Sequence, residues 1–186
     1  MATTHTKQST KEMENLKSYP APEELATPTD LRAQEVQRVV DAINPLVADA
    51  FALYLKTKNF HWHVASSHYR DYHLLFEEQA EAILASIDPL AERVRRIGGL
   101  TLRSISHVGQ LQTIDDQNRD FVPPDEMIDE LLRDNTHVAR QMREAIEICE
   151  DNRDTPTANL LQELLDQTER RIWFLHAVST GGKNQY

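Results

Sequence analysis

Four long segments of this chain repeat apolar residues at helical spacing, and no other feature restricts the fold as strongly. Only 5 glycines occur among 186 residues, which favours long helices over a turn-rich β fold. The connection over residues 100–123 is long enough to cross a helical bundle, and it contains only a short helical candidate near residues 104–111. The sequence therefore predicts an all-α fold: a four-helix bundle with a long crossover between helices 2 and 3 that carries a short helix. The four segments run from about residue 30 to Trp62, from Arg70 to Gly98-Gly99, from Pro123 to about Glu150, and from Thr155 to Gly181-Gly182.

Local signals mark several of these helix ends. Thr27-Pro28-Thr29-Asp30 is typical of a helix start, and Thr155 is predicted to cap the last helix with Pro156 at its first position. Gly98-Gly99 is predicted to end the second helix. Pro45 and Pro89 lie inside helices, where each removes one hydrogen bond and should distort the helix.

Composition and charge restrict the domain organisation and the binding partners that this chain can have. We expect a flexible N-terminal arm over residues 1–27, a helical-bundle domain over residues 28–180 and a C-terminal tail over residues 181–186. The net charge of −10 disfavours nucleic acid unless a local basic segment compensates. No apolar run approaches the length of a membrane span, and the single Cys149 excludes an internal disulfide framework. These features predict a cytoplasmic protein without a membrane partner, with nucleoid association left open.

The predicted second helix carries a stripe of side chains that could bind a metal. His73, Glu77, Asp88 and Glu92 are 4, 11 and 4 residues apart. On a helix they lie at roughly 0°, 40°, 60° and 100°, so they share one face. His61 is a fifth such group, at the predicted end of the first helix. Imidazole and carboxylate together suit a redox-active or Lewis-acid metal better than a structural zinc.

One copy of the helix cannot bring the whole stripe to one metal. The 19 residues from His73 to Glu92 span about 28 Å of helix. Two copies packed antiparallel about a two-fold axis near residue 82 would place the His73/Glu77 end of one chain against the Asp88/Glu92 end of the other, twice. Spacing alone leaves two alternatives open: a metal site at a subunit interface, or a charged, solvated surface.

A family resemblance rests on the motifs around this stripe. Lys58-Asn59-Phe60-His61-Trp62, His73 with Glu77, and Asp88-Pro89-Leu90-Ala91-Glu92-Arg93 give an HW pair, H-x-x-x-[DE] and D-x-x-A-E-R, followed by Gly98-Gly99. This pattern resembles the Dps family of ferritin-like proteins, the DNA-binding proteins from starved cells. The resemblance covers about residues 30–178 and includes Ile172-Trp173-Phe174.

The resemblance implies a ferritin-like bundle that forms a dodecameric shell and acts as a ferroxidase. Ferrous iron would be oxidised at di-iron sites between two-fold-related subunits, with hydrogen peroxide preferred over dioxygen, and stored inside as a ferric mineral that protects against oxidative stress. His61 and His73 of one chain would bind iron together with Asp88 and Glu92 of the partner subunit. Glu77 would serve the second, weaker metal position.

The resemblance implies roles for two further groups of residues, and for each group a simpler structural interpretation stays open. Trp62 could donate an electron or be a packed aromatic at a helix end. Glu150, Asp151 and Asp154 could form an acidic pore through which iron enters the shell, or a solvated acidic turn.

DNA binding is expected to be weak or absent, because residues 1–19 contain only three lysines against two glutamates. One alternative function is an architectural DNA-condensing protein with a minor iron role. A second is a purely structural assembly in which the polar stripe holds subunits together.

Overall fold

The computed structural model describes residues 20–183, of which residues 180–183 are described by their backbone only. A 3-10 turn over Glu23–Leu25 precedes five helices, and the described residues contain no strand. Residues 1–19 of the predicted arm and residues 184–186 of the predicted tail lie outside this range. The helices are α1 (Ala33–His63), α2 (Tyr69–Arg96), α3 (Ile105–Leu111), α4 (Pro124–Asp151) and α5 (Thr155–Lys183). The prediction of four long helices with a short helix in the crossover is confirmed.

The long helices pack as two hairpins, α1 with α2 and α4 with α5. Two ion pairs fix the direction of α4 relative to α1. Glu35 near the start of α1 pairs with Arg153 just after α4 at 2.9 Å, and Lys56 in the second half of α1 pairs with Asp134 in the first half of α4 at 2.7 Å. Since α1 is antiparallel to both α2 and α4, the helices on either side of the crossover run parallel, as the length of the crossover predicts.

The apolar faces of all four long helices close on one core. Burying a large apolar side chain contributes about 1.5–3 kcal/mol, so these positions carry much of the stability of the bundle. Neither internal proline ends its helix: α1 continues past Pro45, and α2 continues past Pro89. The side chains buried most completely include Phe60, Phe76, Leu90, Leu131, Leu161 and Leu175.

The start of α1 differs from the prediction. The signal at residues 27–30 does not begin the helix, which starts at Ala33. Instead Glu35 reaches back, and its Oε2 accepts the backbone N–H of Arg32 at 2.7 Å. Arg153 donates to the same carboxylate from the α4–α5 turn. These donors hold the pKa of Glu35 well below its usual range.

Both ends of α5 also correct the prediction. Thr155 is already the first helical residue, and Asp154 before it accepts the N–H of Thr157 at 3.2 Å, so Asp154 provides the cap. The helix does not stop at Gly181-Gly182 but continues to Lys183. Glycine lowers helix stability by about 1 kcal/mol per residue without forbidding the helical conformation.

The predicted glycine stop of α2 is confirmed. Gly98 has a φ of 90°, which a residue with a side chain rarely adopts. Its N–H donates to the carbonyl of Arg95 at 3.1 Å, and that of Gly99 donates to Val94 at 2.9 Å, the two bonds of a Schellman motif. A Cβ on Gly99 would lie 2.3 Å from Cγ2 of Val40, so this glycine also permits close packing of the crossover on α1.

A buried carboxylate anchors the crossover. Asp49 of α1 is 0% exposed and accepts three hydrogen bonds, from the N–H and hydroxyl of Thr113 and from the N–H of Ile114. His137 Nε2 lies 2.8 Å from the same hydroxyl, and Gln141 donates to it at 3.0 Å. The end of the crossover is thereby attached to both α1 and α4. No helix within residues 20–183 is long and apolar enough to span a bilayer.

Candidate metal centre

The α1–α2 hairpin brings two histidines together. His61 lies in the last turn of α1 and His73 in the second turn of α2, and the short connection 64–68 makes these two helix ends adjacent. Their rings stack with centroids 3.7 Å apart and an interplanar angle of 23°. His61 is buried and His73 half-buried. Two imidazoles that are 12 residues apart in sequence thus form one compact pair.

Backbone carbonyls orient both rings. His61 Nδ1 lies 2.9 Å from the carbonyl oxygen of His73, and His73 Nδ1 lies 2.9 Å from the carbonyl oxygen of His61. A carbonyl can only accept, so each Nδ1 carries the hydrogen. In the neutral ring each Nε2 then keeps its lone pair, as a metal ligand requires.

Glu77 brings a carboxylate to the same place. Its Oε2 lies 2.9 Å from His61 Nε2. Two cis ligands at about 2.1 Å from one metal would be about 3 Å apart, so this separation suits joint ligation of a divalent ion. A hydrogen bond from Lys58 lowers the pKa of Glu77, which keeps the carboxylate ionised at neutral pH. His61, His73 and Glu77 form what we call the histidine half-site.

The other two predicted ligands lie elsewhere in the chain. Asp88 and Glu92 are exposed on α2, and Glu92 pairs with Arg96 at 2.5 Å. The 15 residues between His73 and Asp88 correspond to about 22 Å of helix, so one chain does not unite the predicted set. The histidine half-site is not a complete metal site by itself, because within residues 20–183 no group of three or more His, Cys, Asp or Glu side chains is arranged to hold a metal ion alone. Completion of the site by a partner subunit therefore stays a prediction.

Three further side chains border the histidine half-site. Trp62 is 58% exposed, so within this chain it is not a packed core aromatic. Lys58 donates to Glu77 Oε2 at 2.5 Å, and its Nζ also lies 5.9 Å from the centroid of the Trp62 ring. The ring of Tyr69 stacks on His73 with centroids 5.1 Å apart. Sequence reasoning assigned no role to Lys58 or Tyr69, although Lys58 is three residues before His61, a spacing that places both on one helix face.

The acidic residues between α4 and α5 separate into two environments. Glu150 and Asp151 are exposed in the last turn of α4. Asp154 is only 2% exposed, because its carboxylate caps α5 and pairs with Arg93 at 2.8 Å. Asp154 therefore does not line the surface with the other two, which corrects the predicted trio.

The last turn of α4 contains no basic residue. Acidic side chains at the carboxyl end of a helix oppose the helix dipole, at a cost of about 0.3–1 kcal/mol each. Glu150 and Asp151 thus concentrate negative charge where the helix itself disfavours it.

Comparisons with known proteins agree with this architecture. The ferritin-like domain family matches residues 40–181. The chain is 32% identical over 152 residues to an uncharacterised low temperature-induced protein of Nostoc sp., covering 81% of this chain and 85% of that protein. It is 26% identical over 148 residues to DNA protection during starvation protein 1 of Deinococcus radiodurans, covering 80% and 72%. The X-ray structure of Dps from Thermosynechococcus elongatus superposes with a TM-score of 0.76 at 28% identity, covering 78% of this chain and 92% of that chain.

Proposed function

The chain belongs to the Dps family of ferritin-like proteins, and from this membership we propose that it is a ferroxidase that stores iron. Ferrous iron is the substrate, and a ferric mineral inside a dodecameric shell is the product. Hydrogen peroxide is the oxidant we expect it to prefer. Removing both reactants protects the cell from oxidative damage. The reducing compartment expected from the single Cys149, which is buried, is the cytoplasm.

The observation that carries this proposal is the orientation of the histidine half-site. Nε2 of His61 and the carboxylate of Glu77 converge, and His73 stacks beside them with its own Nδ1 engaged by a carbonyl. We propose that Asp88 and Glu92 of the partner subunit complete the site across a two-fold axis. Their exposure on α2 leaves both carboxylates accessible to a second copy of the chain.

The ligand set suits oxidation of iron. Carboxylates stabilise the higher charge of ferric iron, which lowers the reduction potential and favours loss of an electron, while imidazoles fix the geometry. Two ferrous ions supply two electrons, the O–O bond of peroxide breaks, and two protons are taken up to form two waters. Pairing the two electrons avoids release of a hydroxyl radical. Trp62, exposed beside His61, is proposed as a reserve electron donor when only one iron is bound.

Iron is proposed to reach the interior through an acidic pore. Glu150 and Asp151 supply exposed negative charge that would raise the local concentration of ferrous ions. Asp154 does not contact the ion in this proposal. It stabilises the turn between α4 and α5 by accepting a hydrogen bond from Arg93.

The test is to add ferrous iron anaerobically to the purified protein, then peroxide, while ferric absorbance and particle size are followed together. We expect rapid oxidation, with more than two irons per subunit remaining in solution. The double variant His61→Ala/Asp88→Ala should keep the assembly and lose rapid oxidation, whereas Asp41→Ala, an exposed carboxylate on α1, should behave like the unchanged protein. Unchanged oxidation in the double variant would rule out these ligands and favour a structural role for the polar stripe.

The DNA-condensing alternative is distinguished by removing residues 1–19. A condensing protein would lose its activity, while a ferroxidase would keep oxidising iron. We expect weak or no DNA binding by the full chain. A clear gel shift at about 150 mM salt would contradict that expectation.

A further inference from the structure

Lys58 occupies an unusual place beside the histidine half-site. It is three residues before His61 and four before Trp62, so on α1 its side chain is a neighbour of both. Its side chain is only 14% exposed, and its ammonium donates to Glu77 Oε2 at 2.5 Å. The side chain is thus held against the half-site and does not extend into solvent.

One oxygen of Glu77 serves two neighbours. Oε2 accepts from Lys58 and lies 2.9 Å from His61 Nε2. A metal that Glu77 ligates through this oxygen would have to displace the ammonium from it. An ammonium and a divalent cation repel each other strongly at such short range. Lys58 and a metal on Glu77 therefore compete for one position.

Trp62 offers the ammonium a second place. Lys58 Nζ already lies 5.9 Å from the centroid of the indole ring, within the range of a cation–π contact. A rotation of the lysine side chain toward that ring would free Glu77 and keep the charge partly compensated. The Lys58 ammonium therefore has two possible positions beside the half-site, on the Glu77 carboxylate and over the Trp62 ring.

We propose that Lys58 determines the order and strength of iron binding by occupying the position of the second iron. The first iron binds through the histidines, and the second binds through Glu77 only after the ammonium has moved toward Trp62. This inference rests on the proposed function, because it concerns the same ferrous substrate.

The test measures binding without turnover. Assembled protein is titrated anaerobically with ferrous iron, and separately with Co²⁺, by calorimetry. The unchanged protein should show a tight step and a weak step. In Lys58→Met the weak step should tighten about tenfold, because a partly buried ion pair no longer has to be broken, while the tight step stays constant. Lys58→Arg keeps a cation and should retain the weak step.

Two matched variants complete the design. Arg38→Met removes the same charge from an exposed position on α1 and should change neither step. Glu77→Gln should abolish the weak step whether or not Lys58 is present. Lys58→Gln replaces Lys58→Met if the methionine variant does not assemble, as judged by size-exclusion chromatography.

The outcomes separate this proposal from the proposed function. If Lys58→Met and Lys58→Gln leave the weak step unchanged while peroxide still drives rapid oxidation, Lys58 is only structural and the inference is overturned. If the unchanged protein binds neither ferrous iron nor Co²⁺ at the half-site, the ferroxidase assignment itself fails, and the inference fails with it.

Discussion

The buried carboxylate that anchors the crossover gives the sharpest stability prediction. Asp49 accepts two N–H groups on Oδ1, from Thr113 at 2.5 Å and Ile114 at 3.0 Å, and the hydroxyl of Thr113 on Oδ2 at 2.7 Å. Asp49→Asn keeps an oxygen for the two N–H groups but makes both bonds neutral. Its NH₂ group then faces a hydroxyl that already accepts from Gln141.

The cost can be worked out from these three bonds. A hydrogen bond to a charged acceptor contributes about 1 kcal/mol more than a neutral one, so the two N–H bonds lose about 2 kcal/mol, and the Thr113 hydroxyl loses its charged acceptor, for about 1 kcal/mol more. The total of about 3 kcal/mol corresponds to a fall in Tm of about 6–12 °C for a chain of this size.

The assay is thermal unfolding followed by circular dichroism at equal protein concentration, because assembly also contributes to stability. Asp41→Asn on the same helix is the control. Its exposed carboxylate accepts from the Gln37 side chain and from no other group among residues 20–183, so Tm should change by under about 2 °C. Thr113→Val removes the same hydroxyl bond, and the double variant should therefore cost less than the sum of the single variants. A loss below about 1 kcal/mol for Asp49→Asn would refute the reasoning.

Two further predictions concern the same crossover. Burial, with a smaller contribution from Arg103, lowers the pKa of His107 from its ordinary value of 6.5, so its neutral form is favoured in the fold. The stabilisation is complete above pH 6.5 and is lost as the pH falls from there toward the lowered pKa. His107→Leu should therefore lose less stability than the unchanged protein between pH 7.5 and pH 5, and parallel Tm curves for the two would contradict this. Gly99→Ala should lower the free energy of unfolding by about 2 kcal/mol, because the new Cβ would lie 2.3 Å from Val40 Cγ2. Partial recovery of Tm in the double variant with Val40→Ala would identify this contact as the cause.

The α1–α2 hairpin positions the histidine half-site. The turn that ends α1 and begins α2 is also what places His61 against His73, so the histidine half-site lies on two rigid helices and not on a mobile loop. The remaining predicted ligands lie farther along α2, so uniting them with the histidines would require another copy of the chain.

The sequence by itself determined the four long helices and the position of the predicted ligands on one face of α2. Apolar periodicity and glycine stops act over three or four residues, so the four long helices and the end of α2 at Gly98 could be predicted. The positions of His73 and Glu77 on one helix face follow from the same short-range geometry.

Tertiary structure decided what depends on residues far apart in the chain. Arg153 stabilises the cap of α1 from 118 residues away, and Arg93 engages Asp154 across 61 residues, which removes that acid from the surface. Lys58 reaches Glu77 across 19 residues. No local pattern encodes such pairs, because each exists only after packing brings separate helices within hydrogen-bond distance. The sequence therefore supplies the predicted metal ligands, and packing decides which of them are oriented, which are buried, and which already accept a hydrogen bond from a lysine.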